Sequence, residues 1–74
     1  MGKLRTLSGN EVCKILIIFG FKEVRQKGSH IIMQKSIEDT TITIPVPNHN
    51  ELKVGTLQSI IRQSGLPKEL FLTK

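Results

Sequence analysis

The chain has no tryptophan, no tyrosine and one cysteine, and its six acidic residues are outnumbered. Each shortage excludes something. A lone Cys13 cannot form an internal disulfide, so a reducing compartment fits. The longest uninterrupted apolar run, Ile15 to Phe19, cannot span a bilayer or serve as a signal-peptide core. A cytoplasmic protein with no membrane partner is expected. Two histidines, with no matching Cys or His pair, fall short of the usual zinc ligand set. There is no acidic cluster and no phosphate loop, so no metal and no cofactor are expected.

What remains is small and basic. Seventy-four residues predict one domain over 1–74. A chain of this length buries only about 60% of its unfolded surface, so a partner or a second copy would add stability. Eleven Lys and Arg against six Asp and Glu give a net charge of +5. That bias favours nucleic acid or an acidic protein as partner, although a merely soluble basic protein would show it too.

Ser8-Gly9-Asn10-Glu11 reads as a capping box, with Ser8 and Glu11 satisfying each other's backbone amides. Val12, Ile15, Leu16 and Phe19 follow at helical spacing, and Gly20 supplies a left-handed stop. A first helix over about 9–19 is predicted. Ile17 and Ile18 widen its apolar stripe, so the helix is either deeply packed or partly covered by a partner. Cys13 lies in this apolar run with no cation to lower its pKa, as expected of a small core residue.

Phe21–Lys27 reads as a strand, Gly28-Ser29 as a tight turn and His30–Lys35 as a second strand. Ser36–Asp39 is turn-like. Thr40 to Ile44 alternates with period two, with Ile42, Ile44 and Val46 on one face, and Pro45 and Pro47 are expected to stop its pairing. After a loop over 48–54, Gly55-Thr56 opens a helix bearing Leu57, Ile60 and Ile61, which Gly65 ends. Pro67 then suits the first position of a short helix through Leu72. The order predicts an α+β fold, a three-stranded antiparallel meander with both helices on one face.

Imidazole is the one side chain whose unperturbed pKa allows proton transfer near neutrality. His30 follows the glycine turn, placed at a sheet edge that a substrate could reach. Cleaving RNA without metal requires a base for the 2′-hydroxyl, an acid for the leaving oxygen and cations for the phosphorane. His30 could be the base, with Arg25, Lys27 and Lys35 as the cations. The Gly55 and Thr56 amides, at a positive helix end, suit a neighbouring phosphate. Equally, His30 could bond a turn carbonyl, and Gly55-Thr56 could be a plain helix start. His49 could be an exposed loop residue, a phosphate contact or a proton donor. Ser29 and His30 point to opposite faces of a strand, so they do not form a nucleophilic pair.

Taken in order, Gly20-Phe21, Gly28-Ser29-His30, Pro47-Asn48-His49, Gly55-Thr56-Leu57 and Gly65-Leu66 resemble the HicA family of toxins, over about Leu7 to Phe71. The resemblance implies a fold like a double-stranded-RNA-binding domain. It implies an mRNA interferase, a ribosome-independent endoribonuclease that stops translation. The family's catalytic histidine carries over to His30, with Ser29 beside it in the Gly-Ser-His motif. A HicB-type antitoxin would be the partner, and a homodimer or a heterotetramer with that antitoxin is compatible with it. In one detail the chain departs from the family pattern, since Ile31–Gln34 lacks the aromatic or basic residues often found there. Two further readings stand beside this one: a double-stranded-RNA-binding module that grips without cutting, and an interaction subunit whose basic face meets an acidic antitoxin.

Overall fold

A computed structural model of the protein describes residues 7–71. The order is α1 (Gly9–Ile18), β1 (Lys22–Lys27), β2 (His30–Ile37), β3 (Thr40–Pro47), α2 (Val54–Ser64) and a last 3-10 turn, Lys68–Phe71. The strands form one antiparallel sheet in the order β1-β2-β3. The fold is α+β, as the sequence predicts.

One face of the sheet carries the core. Ile31 and Met33 of β2 and Ile44 and Val46 of β3 are buried there. Over them lie Val12, Cys13 and Leu16 from α1 and Leu57, Ile60 and Ile61 from α2, so both helices cover the same face. Phe21, Leu52 and Phe71 fill the gaps between elements. Fully burying one such large side chain is worth about 1.5–3 kcal/mol. Among the described residues, no helix is long and apolar enough to cross a membrane.

The capping box forms as the sequence predicts. Glu11 N donates to Ser8 Oγ at 3.1 Å, and Ser8 N donates to Glu11 Oε1 at 2.9 Å. The helix stops one residue early, at Ile18. Phe19 is a partly exposed cap rather than a core residue, because the chain must already turn through Gly20 (φ 100°) to bury Phe21. Ile17 and Ile18 remain exposed.

The sheet corrects several expectations. β1 starts at Lys22, because Phe21 leaves the strand path for the core. β2 continues to Ile37, so the second hairpin turns tightly on Glu38-Asp39 alone. Pro45 and Pro47 do not stop pairing, for they lie inside β3 opposite Ile32 and His30. β3 is an edge strand, and a proline fits there when its missing N–H would have pointed away from the ladder. β2 is the central strand, so His30 stands at a strand end beside a hairpin, not on a sheet edge. α2 begins at Val54 with Lys53 as its cap, which makes Thr56 a residue of the first turn. Gly65 (φ 73°) ends it as predicted. Beyond Pro67 the short helix is a 3-10 helix over Lys68–Phe71, and Leu72 lies outside the described residues.

Candidate functional site

His30 is the first residue of β2, directly after the Gly28-Ser29 turn. Gly28 has φ +60°, a conformation that costs glycine little and a side chain much. Because Ile31 and Met33 turn into the core, the alternation of the strand sends His30 to the opposite, open face. There His30 pairs across the ladder with Lys27 on one side and Pro47 on the other.

His30 is exposed and is one of the residues lining a cleft of about 360 Å³ between β3 and α2. Pro45 and Pro47 form its strand wall. Gly55, Thr56, Ser59, Ile60 and Gln63 form its helix wall. The N-terminus of α2 is open. Lys53 makes no side-chain cap, the first turn holds no acidic residue, and no acceptor among the described residues meets the Gly55 or Thr56 amides. Unmet amides at the positive end of a helix attract an anion. His30 and the open end of α2 therefore line one cleft.

The other expected site residues are dispersed. Lys27 is cross-strand from His30, and Arg25, opposite Ile32, shares the same open face one row further on. Neither lines the cleft. Lys35 is on the other face of the sheet, paired with Ile42, and its Nζ lies 5.7 Å from the centre of the Phe21 ring. Lys35 lies five positions along β2 from His30, and the pleat sends residues an odd number of positions apart to opposite sides. Ser29 is exposed in the turn, and its carbonyl accepts from Asn48 N at 2.6 Å. His49 is exposed, does not line the cleft, and lends its carbonyl to Gly9 N at 2.8 Å.

Pro45, Pro47, Ser59 and Gln63 were not anticipated as cleft residues. A signal for the helix wall is present in the sequence. Thr56, Ser59 and Gln63 recur at i, i+3 and i+7, a polar stripe beside the apolar one.

Cys13 is buried and does not line the cleft. Its thiol is pushed up to about 11 by burial and by the nearby charge of Glu23, which keeps it protonated and unreactive. Among the described residues, no three His, Cys, Asp or Glu side chains gather as a metal site.

The model of the HicA toxin of bacterial toxin–antitoxin systems matches residues 9–66. The chain belongs to this family. No curated protein matches it individually. The matched span starts at the first residue of α1 and runs just past the end of α2, so it includes the glycine turn, His30 and both cleft walls. A HicA toxin acts within a toxin–antitoxin pair, so an antitoxin is its partner.

Proposed function

We propose that this HicA toxin is a ribosome-independent mRNA interferase, an endoribonuclease in which His30 moves the proton. One observation carries the reading: the exposed His30 lines the same cleft as Gly55 and Thr56, whose amides are unmet. In this reading those amides hold a phosphate of the RNA backbone. His30 takes the proton of the ribose 2′-hydroxyl, and the 2′-oxygen attacks phosphorus. The P–O5′ bond breaks, leaving a 2′,3′-cyclic phosphate, and the 5′-oxygen takes a proton from water. His30 then gives its proton to the hydroxide that remains. Arg25 and Lys27, on the same open face, would hold the strand that continues past the cut. Lys35, on the far face, has no part in this, and Ser29 contributes the geometry of the turn. The RNA, a cytoplasmic site of action and a HicB-type antitoxin that covers the cleft all belong to the same proposal.

General acid–base assistance is worth roughly 10²–10⁴-fold in rate. His30→Ala should therefore lose RNA cleavage and growth arrest while its melting temperature stays near that of the parent, because the side chain is exposed and outside the core. Cleavage should also persist with a chelator present. Undiminished cutting by His30→Ala would remove the assignment. An intact but gel-shifted RNA with the unmodified protein would mean a binding module instead.

A further inference from the structure

The helix wall of the cleft has a feature that proton transfer does not use. Ser59 and Gln63 are one helical turn apart on α2, and Gln63 Nε2 donates to Ser59 Oγ at 2.9 Å. That bond holds the carboxamide in one orientation. It uses one of the two N–H groups and leaves the other, together with Oε1, unengaged. Both residues line the same cleft as His30, Gly55 and Thr56. Opposite them stand the rings of Pro45 and Pro47, flat apolar surfaces with no hydrogen-bonding group in the side chain. The cleft thus has a proline strand wall, a hydrogen-bonded Ser59–Gln63 pair on its helix wall, and an open helix N-terminus within about two turns of Gln63.

Its dimensions narrow the ligand. A volume of about 360 Å³ lies at the low end of small-ligand pockets. That volume suits a single unstacked base. Among the cleft-lining residues there is no Lys, Arg, Asp or Glu, so discrimination there falls to neutral hydrogen bonding.

Building on the proposed ribonuclease activity, we infer that this cleft seats one unpaired nucleobase next to the scissile phosphate, and that Gln63, steadied by Ser59, reads its edge. The base packs on Pro45 and Pro47, while the carboxamide of Gln63 makes paired hydrogen bonds to adjacent donor and acceptor groups. The toxin accordingly cuts single-stranded RNA with a preference at one position beside the cut. Gln63 is a specificity-determining residue here and takes no proton.

The test compares cut-site distributions on a pool of single-stranded RNAs randomised around the cleavage position. A good bidentate contact is worth about tenfold in discrimination between bases. Gln63→Ala should flatten the base preference at one flanking position by about that factor and leave cutting dependent on His30. Gln63→Glu, which keeps an acceptor but loses the donor, should change which base is preferred. Gln58→Ala, exposed on α2 but outside the cleft, should leave the pattern as it is. A second arm uses uncuttable 2′-fluoro oligonucleotides that differ in one base, with affinity read by fluorescence anisotropy. Preference that disappears in Gln63→Ala in either arm supports the inference. An unchanged preference in Gln63→Ala, or no base preference in the parent protein, overturns it. If the parent protein cuts nothing, the nuclease reading fails and the anisotropy arm still decides the base site. If it cuts but the preference ignores Gln63, the base site fails and the nuclease reading stands.

Discussion

A methyl group at position 9 would collide with the carbonyl oxygen of Pro47 and lie 3.1 Å from Asn48 Cα. Gly9 is where the start of α1 crosses the end of β3, and its amide donates to His49 O across the crossing. Backbone stands on both sides, so no side chain can swing away. Gly9→Ala should cost about 1–3 kcal/mol, in the range of overpacked cores, although alanine favours helix more than glycine does. At about 4–8 °C per kcal/mol for a domain of this size, a thermal melt would show a clear drop. A melting temperature equal to the parent's would mean that the two segments separate freely. Nothing in the sequence reveals this crossing, since Gly9 reads simply as part of the cap and its neighbour lies far along the chain. The turn before His30 was legible for the opposite reason, although the central position of its strand was not. A glycine turn followed by a strand is a local event, and local events leave local marks.

Among the elements, α1 shows how well a cap can be read and how poorly a helix end can. The Ser8–Glu11 bonds follow from spacing alone, because both partners are within one turn. Whether Phe19 closes the apolar face is settled by the need of Phe21 to reach the core, a tertiary demand. The prolines of β3 follow the same logic. They would break a central strand, and only the order β1-β2-β3, with β3 outermost, makes them tolerable. On α2 the apolar stripe was visible, but the polar stripe of Thr56, Ser59 and Gln63 gains meaning only once β3 lies beside it. The cap of α1 gives the element-scale prediction. Ser8→Ala should lower stability by about 1 kcal/mol in chemical denaturation, and Ser8→Asp should restore most of it. Because the two bonds of the box are reciprocal, Ser8→Ala and Glu11→Ala should together cost less than the sum of each alone. Strict additivity would mean that the two bonds act independently.

For the whole molecule, the net charge of +5 matters less than how the sheet sorts it. Composition counts Arg25, Lys27 and Lys35 alike. The pleat and the β1–β2 register place the first two on the open face with His30, and send Lys35 to the helix-covered side near Phe21. The bulge in β1 between Glu23 and Arg25 is part of this sorting. It puts one extra residue, Val24, between Glu23, opposite Met33, and Arg25, opposite Ile32. If the toxin binds RNA as proposed, a basic strand along the open face would serve as an electrostatic track for its phosphates, and that contribution is measurable through salt. Each phosphate neutralised on a single strand adds about 0.7 to the slope of log affinity against log salt. In a His30→Ala background, which prevents cutting, replacing Arg25 and Lys27 together by alanine should reduce that slope by about 1.4 if each meets one phosphate. Lys35→Ala should leave it unchanged, although it removes the same formal charge as either single replacement. Titrations with a single-stranded RNA at several potassium chloride concentrations separate the cases. An equal loss of slope from Lys35→Ala would mean that the RNA responds to total charge and not to the open face, and the cleft would lose its claim to orient the strand.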